Sequence, residues 1–142
     1  MDGSSVGSLV REHPVSVDRE ESVSSAIDAV RAYTPTDDGV SVYYVYITDG
    51  EELVGVVSMR ELLNAEDADP VSEIMTTDPV AVSTTDSLDR VIRQIIDHRF
   101  AVVPVVDDAD RLVGIVLAND VIDALDERTT KQLFKQAGLW MR

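Results

Sequence analysis

One unit occurs twice along this chain, and that limits the possible folds more than any other feature. His13-Pro14-Val15-Ser16-Val17 returns as Asp78-Pro79-Val80-Ala81-Val82, displaced by 65 residues. At that displacement Val6 falls on Val71, Ser22 on Ser87, Val23 on Leu88 and Ile27 on Ile92. Leu53-Val54-Gly55-Val56-Val57 returns as Leu112-Val113-Gly114-Ile115-Val116, displaced by 59, and Asp49 and Asp108 agree at this second displacement. The difference of six residues is an insertion in the first copy, and the turn-rich Thr34-Pro35-Thr36-Asp37-Asp38-Gly39 is the loop that holds it.

Each copy reads as strand, helix, strand, strand, helix. Pro14 and Pro79 lead into short alternating strands. Val23, Ala26, Ile27 and Val30, with Tyr33 beyond, recur at the spacing of one buried helix face; Leu88, Val91, Ile92, Ile95 and Ile96 do the same. The β-rich runs Val42–Ile47 and Ala101–Val106 each end in an acidic turn, and Leu53–Val57 and Leu112–Leu117 return. Ser58-Met59-Arg60-Glu61 has the capping-box pattern of a helix start, and Asn119 or Asp120 is the corresponding cap in the second copy. The expected organisation is an N-terminal tail (1–5), repeat 1 (6–64), a polar linker (65–70), repeat 2 (71–127) and a C-terminal helical tail (128–142). Copies this small are marginal alone, so the two are expected to pack as one α/β unit with pseudo-twofold symmetry.

The charge is lopsided. Asp and Glu number 27, of which 18 are Asp, against 12 Lys and Arg, for a formal net charge of −15. That excess repels phosphate backbones and anionic lipid, which argues against a nucleic-acid binder. It also suits a high-salt, halophilic cytoplasm, where screening relieves self-repulsion. Cysteine is absent, so disulfides, thiolate metal sites and cysteine nucleophiles are excluded. Apolar runs reach seven residues and Met1–Ser8 lacks the pattern of a signal peptide, so a cytoplasmic chain without membrane insertion is expected.

Three pieces carry a resemblance: the doubled Pro-Val-x-Val entry, Phe100-Ala101-Val102-Val103-Pro104-Val105-Val106-Asp107, and Gly114-Ile115-Val116 running into Asn119-Asp120-Val121-Ile122. From about Val6 to about Asp126 the chain resembles a CBS-domain pair, or Bateman module, a tandem of βαββα repeats. It is most similar to the cytosolic CBS region of MgtE-type magnesium transporters. That likeness rests on Tyr43-Tyr44-Val45-Tyr46, on the stretch Gly55–Leu63, on Val71-Ser72-Glu73-Ile74-Met75 and on the tail Thr129–Gly138. In those transporters a helical domain precedes the pair and a membrane domain follows. Here Met1–Gly7 stands in place of the first and the chain stops at Arg142, as in either an excised piece or a free-standing sensor.

The resemblance implies two clefts for adenine nucleotides (ATP, ADP or AMP). Short apolar strand edges sandwich the purine, a carboxylate at a helix start accepts from the ribose, and the helix N-terminus favours phosphate. Carried over by position, the first cleft takes Tyr44 and Phe100 for the base, Val80 and Ala81 for its walls, Glu61 for the ribose and Arg60 for the phosphates. The family commonly has Asp where Glu61 stands. The second cleft takes Val15, Ser16, Val103, Asn119 and Asp120, and is expected to be empty or weak. It has Asn119 where Arg60 has its counterpart, and Leu117 in place of the usual Ser or Thr. Taken alone, Tyr44 and Phe100 read as core packing and Arg60 as a surface ion-pair partner of Glu61 or a neighbour.

The resemblance also implies regulatory Mg²⁺ held by carboxylates, of which Asp120 and Asp123 are kept. With Glu127 they share one helix face. The residues alone read as a solvated acidic face, and any metal site is expected to bind at millimolar order. Catalysis finds no support: His13 and His98 have no partner arrangement, and no Gly-Lys-Ser/Thr loop occurs. His98 falls where a helix C-terminal dipole favours a cation. The expected protein is therefore a non-enzymatic, ligand-sensing homodimer that controls a membrane-embedded magnesium or divalent-cation transporter. Val121, Leu125, Leu133, Phe134, Leu139 and Trp140 serve burial or docking in that reading. The alternative is a nucleotide-responsive regulator or dimerisation module of a soluble enzyme.

Overall fold

A computed structural model describes residues 6–11, 14–33 and 44–126. The expected insertion loop at Thr34–Gly39, the tails 1–5 and 128–142, His13 and Glu127 lie outside the described residues.

The first copy contributes β1 (Ser16–Asp18), α1 (Val23–Ala32), β2 (Tyr44–Asp49), β3 (Glu52–Ser58) and α2 (Met59–Asn64). A short helix α3 (Val71–Ile74) and strand β4 (Thr76–Thr77) follow, then β5 (Val82–Ser83), α4 (Leu88–His98), β6 (Val102–Val106) and β7 (Leu112–Leu117). The last helix, α5, is described over 118–126. One sheet has the order β1-β2-β3-β4 and the other β5-β6-β7. β1 runs parallel to β2, and β5 to β6, because a helix connects each pair; the hairpins β2–β3 and β6–β7 are antiparallel.

Local chemistry explains most boundaries. Ser22, Ser58 and Ser87 each cap a helix by accepting from the backbone N–H three residues on. The capping box expected at Ser58 is complete: its Oγ accepts from Glu61 N at 3.1 Å, and Glu61 Oε1 accepts from Ser58 N at 2.8 Å. The expected cap at Asn119 or Asp120 is not there. α5 already begins at residue 118, so both lie in its first turn, after an apolar Leu117 that has no side-chain acceptor to offer. The linker is structural too, since Asp69 O and Asp67 O accept from the N–H groups of Val23 and Ser24 at the start of α1.

The copies exchange their opening segments. Val6, with Leu9 and Val10, packs into the core built on Val82, Leu88, Val91, Val103 and Val116 of the second copy. Reciprocally, Val71, Ile74 and Met75 pack with Val23, Val45, Ile47, Val57 and Leu62 of the first. The backbone follows: Arg11 exchanges two hydrogen bonds with Ile115, and β4 pairs with β3. Between the sheets a third cluster centres on Tyr46, Leu53, Val102 and Ile115. The two hairpin ends also join, Leu53 N donating to Asp110 O and Leu112 N to Glu51 O, both at 3.0 Å. In the β6–β7 turn the Asp107 carboxylate accepts from Arg111 N, Ala109 N and Arg111 Nε. The Arg111 amide first, then the Ala109 amide and the guanidinium, hold that carboxyl below the usual carboxylate range.

Candidate functional site

A cleft opens where the two copies face each other, and both copies build it. Tyr44 and Tyr46, two apart on β2, point to the inter-sheet side with Val56 of β3, while Val45 and Ile47 fill the first core. From the second copy come Pro79 and Val80 of the entry segment, Phe100 before β6, and Val102 and Pro104 on it. The space among these residues is about 270 Å³, counting the solvent at its open mouth.

Tyr44 and Phe100 meet edge to face, with ring centroids 6.3 Å apart and planes at 87°, an arrangement their quadrupoles favour. On its other side Phe100 stacks on His98 at 5.3 Å. Arg99 between them is left-handed (φ 58°, ψ 40°) and ends α4, turning the chain back toward the cleft. Strand register puts Ser58 opposite Tyr44, so the first turn of α2, with Arg60 and Glu61, starts beside the aromatic wall. Both side chains are exposed, and Glu61 turns back to the Ser58 amide rather than to Arg60. The ion pair that the sequence suggested between them does not form; Glu61 folds back onto its own helix start instead.

Tyr44, Val80 and Phe100 thus converge as expected, with Arg60 and Glu61 on the adjoining helix. Ala81 does not line this cleft; it packs in the inter-sheet cluster and borders a separate acidic hollow with Glu52, Asp78 and Asp110. Tyr46, Val56, Pro79, Val102 and Pro104 were missed. The period-2 pattern of Tyr44-Val45-Tyr46-Ile47 carried the signal for Tyr46, since it shares a strand face with Tyr44.

The residues expected in the second cleft sit in different settings among the described residues. Val15 belongs to the first core and Val103, fully buried, to the second. Ser16 and Asn119 are exposed. Asp120 accepts from Arg11 Nε at 2.9 Å, so its charge is already met by a cation from the exchanged segment. Asp123 is exposed, and among the described residues no group of three or more His, Cys, Asp or Glu could hold a metal ion. Among them, too, no helix is long and apolar enough to cross a membrane.

Comparison with known proteins agrees with this fold. The family model of the CBS domain matches residues 6–68 and again 71–127. The magnesium transporter MgtE of Thermus thermophilus is 36% identical over 130 residues, which is 91% of this chain and 28% of that protein. MgtE of Enterococcus faecalis is 32% identical over 134 residues, 94% of this chain and 29% of that one. The chain therefore spans less than a third of the length of these relatives. A crystal structure of the cytosolic domain of the Mg²⁺ channel MgtE in complex with ATP superposes with a TM-score of 0.80 at 35% identity, covering 86% of this chain and 49% of that one.

Proposed function

Because this chain belongs to the CBS-domain family, as a tandem pair, we propose that it is a regulatory module that senses an adenine nucleotide and controls a divalent-cation transporter. The observation that carries this reading is the cleft itself, where an aromatic wall from one copy meets Val80 and Phe100 from the other. The cleft is shallow and open, so a ring system enters it from the mouth, with sugar and phosphates emerging toward α2.

In this arrangement the ring lies against Tyr44 and Phe100, Arg60 meets the phosphates, and Glu61 offers the ribose the oxygen that its capping bond leaves unused. A nucleotide held by both copies favours whichever copy-to-copy geometry fits it best, and only that preference can transmit a signal. The acidic surface suits a high-salt cytoplasm at the face of a membrane.

Titration calorimetry in molar KCl with ATP, ADP and AMP tests the reading. We expect binding heat with at least one of them, and Arg60→Ala to weaken ATP by about tenfold or more, the loss of one charge-assisted contact. No heat with any of the three would end it.

The module is also proposed to work as a homodimer. Leu63 on α2 and Ile122 on α5, related by the 59-residue repeat, are 70% and 42% exposed, and burial against a second copy would remove both from water. Sedimentation in molar KCl is expected to give the dimer mass, and the double change Leu63→Glu, Ile122→Glu the monomer mass. A monomeric wild type would refute the dimer.

A further inference from the structure

Tyr46 holds the one polar side-chain atom that this structure buries without satisfying, among the described residues. The residue is 2% exposed, its ring lines the cleft, and its hydroxyl has no hydrogen-bond partner. Buried hydroxyls are normally paired, and an orphan calls for an explanation. Core packing does not supply one, since phenylalanine fills nearly the same volume without the penalty of a stranded hydroxyl. The surroundings make the point sharper. Apart from Tyr44 the other cleft side chains are apolar, and Pro79 and Pro104 have no backbone N–H to offer. Burial above all, and then the nearness of Tyr44, push the Tyr46 phenol up, so it stays neutral and able both to donate and to accept.

We propose that the Tyr46 hydroxyl is a specificity-determining contact: it pairs with a polar edge atom of a flat heteroaromatic ring, of purine type, lying against Tyr44 and Phe100. This inference rests on the nucleotide reading above and adds to it the group that tells such a ring from an apolar one of the same shape. A site with a buried hydrogen-bonding group rejects an analogue that leaves it unpaired far more strongly than an apolar wall rejects a misfit.

Calorimetry and thermal melting of Tyr46→Phe, beside wild type and Arg60→Ala in molar KCl, test it. For whichever of ATP, ADP and AMP bind wild type, Tyr46→Phe is expected to weaken each by the same factor, about fivefold to tenfold. The base is common to all three, so the loss does not depend on phosphate number, whereas the loss in Arg60→Ala grows with it. Without nucleotide, Tyr46→Phe is expected to melt at the wild-type temperature or above. Unchanged affinity in Tyr46→Phe overturns this inference and leaves the nucleotide reading standing. A lower melting temperature of the empty variant also overturns it, because the hydroxyl would then be serving the fold. If wild type binds none of the three nucleotides, both fall together.

Discussion

Gly114→Ala is expected to destabilise the protein by about 1–3 kcal/mol, the usual cost of forcing a group into filled space. A Cβ on Gly114 would stand 2.5 Å from the carbonyl oxygen of Arg11 and 2.5 Å from Val10 Cγ1. That oxygen is fixed, since it accepts from Ile115 N at 2.9 Å while Arg11 N donates to Ile115 O at 2.8 Å. The added methyl must therefore push the exchanged segment off β7 or bend the strand. Gly55, its counterpart in the first copy, is the control. A Cβ there meets the side chain of Met75, mostly its Sδ and Cγ, and an unbranched thioether can swing aside. Gly55→Ala is expected to cost clearly less than Gly114→Ala in urea unfolding. Limited proteolysis should show the same asymmetry, with Gly114→Ala cut early near Val6–Arg11 and Gly55→Ala resistant there. If Gly114→Ala is neutral or stabilising, as a glycine replaced within an open strand would be, the segment does not dock as described.

What the sequence revealed was local or doubled. The capping box at Ser58 reads directly because its partners are three residues apart. The helix Val23–Ala32 reads from its apolar stripe, and the second helix runs on from Ile96 to His98, where that histidine ends it as expected. Doubling did the rest, since no single copy signals an α/β sheet pair as firmly as two in register. The exchange was invisible for the opposite reason. Val6, Leu9 and Val10 form too short a run to show a period, and nothing local says which of two similar cores they enter. The cleft was half legible: Tyr44, Val80 and Phe100 came through resemblance by position, whereas Tyr46 needed the knowledge that β2 is buried on both faces. A strand covered on one side only would have put Tyr44 and Tyr46 in solvent. The partner of Asp120 was equally hidden, since its charge is answered by Arg11, 109 positions earlier in the chain.

Raising KCl from 0.05 M to 1 M is expected to lift the melting temperature by on the order of 10 °C. The case turns on which electrostatic effect is larger. Exposed ion pairs such as Arg31–Asp28, Arg19–Asp49 and Arg111–Glu51 weaken in salt, but each contributes only about 0–1 kcal/mol. Against them stands a formal charge of −15, whose mutual repulsion opposes the compact state. No charged side chain is buried among the described residues, so salt reaches the whole set. Because the Debye length falls from about 10 Å at 0.1 M to about 3 Å at 1 M, screening saturates, and most of the gain should come below about 0.5 M. That curvature separates relief of repulsion from the general strengthening of apolar burial by excluded solutes, which continues to rise with concentration. Circular dichroism melts in a KCl series, with sucrose at matched osmolality as the uncharged comparison, measure both. Equal melting temperatures in dilute buffer and molar KCl would mean that the carboxylates are spaced widely enough for water alone to separate them, and would remove the case for a high-salt cytoplasm.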